Sequence, residues 1–295
     1  MALFGNYDQP GRGVLKTPHE KKGFFKFWEV YARHMWKLIQ LNVLYFVFCI
    51  PIGAMLILLL STFNPLYMLL GIPAIVVGPA TAAMTKVARN FSQERATFVF
   101  HDFKEAFKKN FKQGIAIGII DVIFISGFVV GVPIYKQLAD QNSTMYIPFV
   151  LCLSCMIVFY MMHFFIYLMI CSTNLTIKQI LKNSLFLVSL GIKESAWTLL
   201  SSLAIIFLMY AFAPYTLFIL PFFPMTFIAF ICCFNCYPVI RKHVIQPYYD
   251  QRGEENPEFS YKNIDPEEAV FEDRAEEEAK NKPEKKDKRK GKTIS

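Results

Sequence analysis

Charge is scarce in this chain: 18% of its 295 residues are Asp, Glu, Lys or Arg, against roughly 25% in an ordinary soluble domain. Carboxylates are the scarcer sign. Of 23 Asp and Glu, 13 lie after residue 253, and of the remaining ten only Asp121 falls within a long apolar run. Cysteine is missing from the short polar connections. Cys49, Cys152, Cys155, Cys171, Cys232, Cys233 and Cys236 all lie in or at the edge of apolar runs, which excludes a disulfide framework exposed to an oxidising compartment. Two Cys-x-x-Cys spacings occur, at 152–155 and 233–236, with no His or carboxylate bracketing them. Packing is therefore the reading for these thiols, and no metal site is expected. Phosphate-loop, His-Glu-x-x-His and Gly-x-Ser-x-Gly motifs are also missing, so neither catalysis nor a cofactor is expected. No cleavable leader is expected either, because the first apolar run starts only at Leu38, behind Lys16, Lys21, Lys22, Lys26, Arg33 and Lys37.

Apolar residues are plentiful: 54% of the chain, in runs close to the roughly 20 residues that a helix needs to cross a bilayer core. A soluble globular enzyme is excluded. The expected class is an all-α integral membrane protein of six transmembrane helices, at 38–60, 67–88, 114–134, 147–170, 197–213 and 217–239. The connection at Pro214 is tight, so the last two helices read either as two crossings or as one re-entrant unit. The expected organisation is a cytoplasmic N-terminal segment with an interfacial helix at 1–37, a membrane domain at 38–247 and a charged tail at 248–295.

Sidedness follows from the cations. Lys136 is the one basic residue of 31 outside four segments: before the first crossing, 86–112, 178–193, and from Arg241 onward. These segments alternate with the crossings, so the positive-inside rule puts both termini in the cytoplasm. Beside crossings, such a basic excess marks the cytoplasmic side and its anionic lipid headgroups, and no nucleic acid partner is expected.

Two inner connections carry amphipathic patterns. Phe100, Phe103, Phe107 and Phe111 recur at helical spacing beside Lys104, Lys108 and Lys112, and Ile177, Ile180, Leu181, Ser184, Leu185 and Val188 do so beside Lys178 and Lys182. Phe24, Trp28, Tyr31 and Met35 form a third such stripe ahead of the first crossing. Helices of this kind lie at headgroup level and brace a bundle, or dock a cytoplasmic partner. Segments 67–134 and 147–213 each read as helix, elbow, helix, a pattern of parallel internal duplication.

A carboxylate at membrane depth is costly and normally faces protein or water. Gly114, Gly118 and Asp121 share one face, and the Gly-x-x-x-Gly spacing admits a close neighbour. His163 lies on the following, antiparallel helix at a matching depth, so the two are expected to pair, with Asn42 and Asn235 nearby. Such a pair is either part of a transport site or structural glue between helices. In the second crossing, Gly78, Pro79 and Thr81 mark either a helix break or a packed kink, with Pro73 upstream.

The run GPATAAMTKVARNF at 78–91, followed by FHDFKEAFKKNFKQGIAIGII at 100–120, resembles the signature of the YesL-like family, bacterial membrane proteins of unknown function. The resemblance rests on the Pro-Ala-Thr-Ala-Ala-Met run, Arg89 and the elbow phenylalanines Phe103, Phe107 and Phe111. It implies a multi-pass protein of a Gram-positive-type plasma membrane, encoded near carbohydrate uptake genes, with no assigned catalytic residues. It suggests an accessory or scaffold component of a carbohydrate-uptake system, with an ABC-type sugar transporter as partner. The competing reading is an autonomous secondary transporter for a small solute. The tail departs from the compact family pattern: residues 254–278 hold 11 acidic and two basic groups, and 280–292 hold eight basic and two acidic. Such composition cannot build a core and reads as disordered.

Overall fold

The computed structural model describes residues 23–62, 74–254 and 256. Among these residues every regular element is helical: α1 (Gly23–Thr62), α2 (Val77–Ser92), α3 (Val99–Lys109), α4 (Phe111–Gln141), α5 (Tyr146–Ser172), α6 (Ile177–Leu190), α7 (Ile192–Ala211), α8 (Pro224–Ile240) and α9 (Gln246–Arg252), with short 3-10 and π turns between some of them. Five stretches are long and apolar enough to cross a membrane: Gly23–Ala54, Phe111–Gln141, Ser143–Ser172, Ile192–Ala211 and Pro224–Arg252. In the most apolar part of α4 only 11% of residues are buried, and in that of α7 only 17%. Val129, Leu200 and Phe207 are among the side chains left bare. An apolar surface of that extent is unsustainable in water and is what a bilayer covers.

α2 sits at the centre of the packing, against α1, α3, α4, α5 and α8. Its sequence explains the position. Ala80, Ala82, Ala83 and Ala88 let neighbours come close, and 11 of its 16 residues are buried. The closest approach is to α4: a Cβ added at Gly114 would lie 2.5 Å from Pro79 Cα, and one at Gly118 would lie 2.5 Å from the Ile75 carbonyl oxygen. The two backbones touch along the Gly-x-x-x-Gly face. α8, buried over 61% of its apolar window, closes the other side.

Several boundaries differ from those expected. The interfacial stripe before the first crossing is not a separate helix: α1 runs unbroken for 40 residues, about 60 Å at 1.5 Å per residue. Nothing between Gly23 and Pro51 interrupts it: the intervening residues include neither Pro nor Gly. α4 likewise continues to Gln141, so the connection expected at 135–146 shrinks to Asn142 and a 3-10 turn, in which the Asn142 side chain accepts from the Thr144 N–H. The last crossing starts at Pro224 rather than 217, because Pro221 and Pro224 interrupt the run. Residues 212–223 form turns that include a cis Ala213–Pro214 bond. The second expected crossing, 67–88, is described only from residue 74, as a 3-10 turn and then the 16-residue α2. Pro73, the basic residues before position 23 and the tail beyond 256 lie outside the described residues.

Two of the connections are short helices, α3 and α6, and their buried faces differ from the stripes expected. In α3 the inward residues are Phe103 and Ala106, with Val99 and Phe107 beside them, while Phe100 of α3 and Phe111, which opens α4, are exposed. α6 starts at a capping box between Thr176 and Gln179 and buries Ile180, Ser184, Leu187 and Val188, leaving Leu185 outside. The order long helix, short helix, long helix holds for α5–α6–α7, of 27, 14 and 20 residues, whereas the described part of α2 has 16 residues before the short α3 and the 31-residue α4.

Candidate functional site

Asp121 lies ten residues after the start of α4 and His163 nine before the end of α5, so at 1.5 Å per residue both stand about 14 Å along antiparallel helices. Both helices extend beyond the apolar runs, so the two residues stand further from the helix ends than those runs imply, at an unchanged depth within the runs. The two side chains meet: His163 Nε2 is 2.6 Å from Asp121 Oδ1. Tyr167, one turn further on α5, donates its hydroxyl to Asp121 Oδ2 at 2.7 Å. The other ring nitrogen, His163 Nδ1, lies 2.7 Å from the Phe159 carbonyl oxygen.

This geometry sets the proton count. A carbonyl oxygen only accepts, so Nδ1 carries hydrogen, and a second proton lies between Nε2 and the carboxylate. The pair therefore holds two protons and has no net charge, written either as imidazolium with carboxylate or as imidazole with carboxylic acid. Neutrality is what makes it tolerable at this depth. Both side chains keep under one fifth of their surface exposed.

Beside the pair lies a cavity of about 710 Å³ bounded by α1, α2, α4, α5 and α8. Its polar wall is Asp121, His163 and Tyr167, joined by Tyr45 and Thr81. The Thr81 hydroxyl donates to the Val77 carbonyl oxygen at 2.8 Å, which leaves Tyr45 to donate to Thr81 across 2.9 Å. Thr85 and Tyr160 also line it, and most of the remaining wall is apolar, including Ile125 and Phe128 of α4, Met156 and Phe159 of α5, and Met225 and Ile228 of α8. Phe159 stacks on Phe124 at 4.6 Å and meets the His163 ring edge-on at 4.5 Å, which fixes the imidazole from behind.

The other expected site residues are used elsewhere. Asn42 is buried and ties α1 to the chain entering α8: its Nδ2 donates to the Leu220 carbonyl oxygen at 2.9 Å, and its Oδ1 accepts from the Thr226 N–H at 2.9 Å. Asn235 donates to Thr198 Oγ1 at 3.1 Å, joining α8 to α7. Of the candidate break, Thr81 reaches the cavity, whereas Gly78 and Pro79 are packed on α4. Cys49, Cys171, Cys232, Cys233 and Cys236 pack in or against the core, Cys171 also donating to the Ala82 carbonyl oxygen at 2.9 Å, whereas Cys152 is half-buried and Cys155 is exposed.

The expected partner or lipid surface also divides. Phe103 and Phe107 pack on Phe48 of α1, with ring centroids 5.9 and 5.4 Å away, and Arg89 is buried. None of these three can present a docking face while α3 stays in place. Lys104, Lys108 and Lys112 are exposed, as is Phe111. Sequence reasoning missed Tyr45, whose only signal is its position three residues after Asn42 on the same helix face. It also missed Phe98, which is 78% exposed beside Phe100.

Residues 38–132 match a family described as "Protein of unknown function, DUF624". The matched stretch contains α2, α3, Asp121, Tyr45 and Thr81, and ends before His163 and Tyr167. No curated protein and no solved structure matches the chain.

Proposed function

We propose that the chain is a six-crossing, non-enzymatic protein of a bacterial plasma membrane with both termini in the cytoplasm, and that it carries a small neutral solute through the cavity beside Asp121. The observation that carries the reading is that cavity: about 710 Å³ of mostly apolar wall with the charge-neutral Asp121–His163 pair and the hydroxyls of Tyr167, Tyr45 and Thr81 set into it. Sites of this size and lining take an apolar body and orient it by a few polar contacts. A free sugar fits poorly, because most of its hydroxyls would face Phe, Ile, Val and Met and lose their hydrogen bonds to water. A solute hydroxyl entering beside Asp121 and His163 can donate to the carboxylate, and coupling to a proton gradient would have the pair release its shared proton to water on one side and regain one from the other, so that it returns to neutrality. The distribution of Lys and Arg supports the sidedness, and the YesL-like resemblance supports the bacterial plasma membrane. A sixth crossing would use residues 67–88.

The test is reconstitution of the full chain in vesicles loaded with a pH-sensitive dye, challenged with a panel of neutral amphipathic solutes. Solute-dependent proton movement, reduced at least about tenfold in Asp121→Asn and in His163→Gln, supports the reading. Movement that is the same in both variants sinks it.

A second reading is favoured by the surface of α3. Phe98 and Phe100 stand 78% and 68% exposed next to Lys104 and Lys108, a face that suits anionic headgroups or a cytoplasmic subunit of an uptake system such as an ABC-type sugar transporter. Capture of such a subunit from native membranes, lost on Phe98→Ala with Phe100→Ala, distinguishes this accessory role. Phe103→Ala does not, since Phe103 is core.

A further inference from the structure

Arg89 stands in the last turn of α2 with only 3% of its surface exposed. Its guanidinium lies 5.2 Å from the centroid of the Tyr237 ring on α8, and its Nε has no hydrogen-bond partner. Among the described residues no carboxylate pairs with it, and the sequence accounts for this. α2, α5 and α8 contain no Asp or Glu. On α1 and in the turn after α2, Glu29 and Glu94 are both engaged by Arg33. Asp102 of α3 accepts from the Phe98 N–H, and Asp121 of α4 is engaged by His163 and Tyr167. Glu105 of α3, Asp140 of α4, Glu194 of α7, Asp250 of α9 and Glu254 are exposed at the surface.

More positive charge crowds the same place. Lys86, one turn earlier on α2, is half-buried and feels the charges of Arg89, Lys109 and Arg95. The carbonyls at the end of α2 attract a cation, yet none of them bonds the guanidinium. An arginine keeps its charge at any ordinary pH and presents five donors in a planar fork shaped for a phosphate or carboxylate. A buried guanidinium whose Nε lacks an acceptor among the described residues is costly for a fold to hold. The tyrosine face offsets part of that cost and supplies no acceptor in the plane of the fork.

We propose that Arg89, with Lys86, binds a phosphate-type oxyanion between the ends of α2, α5 and α8, supplied either by an anionic lipid headgroup or by a free phosphate. This site is separate from the cavity beside Asp121: neither Arg89 nor Lys86 is among that cavity's lining residues. It is also different from the exposed lysines of α3, which meet headgroups as solvated charges.

The test uses the full chain in neutral detergent, followed by thermal unfolding at constant ionic strength. Inorganic phosphate is compared with chloride, and short-chain phosphatidylglycerol with phosphatidylcholine. The expected result is a rise in Tm of about 3 °C or more with phosphate, with phosphatidylglycerol or with both, beyond the controls. The rise is smaller in Lys86→Gln and absent in Arg89→Met. A response to both additions identifies a site open to soluble anions, and a response to the lipid alone identifies a headgroup site. No rise with either, or an equal rise in Arg89→Met, overturns the proposal. Should Arg89→Met fail to fold, the decision rests on Lys86→Gln, whose side chain is outside the core, and an undiminished rise there overturns it.

Discussion

Asn42 and Asp121 are both polar residues inside apolar runs, and the structure gives them opposite characters. Asn42 is saturated by the Leu220 carbonyl oxygen and Thr226, neither of which a ligand could replace without undoing the start of α8. Asn42→Ala is expected to destabilise by about 2 kcal/mol, since it leaves a buried carbonyl and a buried N–H unpaired; thermal unfolding in detergent measures this. Tyr167→Phe removes one donor from Asp121 and leaves His163 in place, so it should cost about 1 kcal/mol in the same assay. The pairing of Asp121 with His163 was legible in the sequence, because antiparallel neighbours at equal depth meet wherever the connection is short. Asn42 was not legible, because one partner is a main-chain carbonyl 178 residues away that no side-chain pattern announces.

At the scale of elements, helical periodicity shows that α3 exists and misplaces its face. Phenylalanines stand on both sides of it, so spacing alone cannot distinguish the stripe that packs on Phe48 from the one that does not. Phe103→Ala should cost about 3–5 kcal/mol through the cavity it opens, and Phe100→Ala should change unfolding by no more than about 0.5 kcal/mol. The glycines of α4 make a sharper contrast. A Cβ at Gly118 would strike the Ile75 carbonyl oxygen, whereas one at Gly127 would meet nothing within 4 Å. Gly118→Ala should therefore sharply reduce the yield of folded protein and Gly127→Ala should leave it unchanged, read by monodisperse recovery from membranes. The spacing predicts that a close neighbour lies there; which helix takes the place depends on Gly78, Pro79 and Ala80 having so little side chain. Helix ends were the least legible feature, because the apolar runs stop where lipid stops while hydrogen-bonded turns continue into polar residues.

For the whole molecule, membrane class was legible because it depends on run length and composition, which need no knowledge of contacts. Sidedness is an electrostatic inference open to direct test. In a chain freed of native cysteines, Ser143→Cys should react with an impermeant thiol reagent added to intact cells, and Glu105→Cys only after permeabilisation; the reverse pattern would invert the topology. The backbone seam of α2 on α4 has a mechanical corollary. Two helices in main-chain contact at Gly114 and Gly118 cannot slide or part without losing the fit that joins them, so they form one rigid strut. The wall that bears Asp121 is then stationary, and any motion that opens the cavity must come from α1, α5 or α8 swinging about that strut. If the proposed transport holds, distance probes on α2 and α4 should keep a constant separation with and without solute, while probes on α1, α5 or α8 should move relative to them.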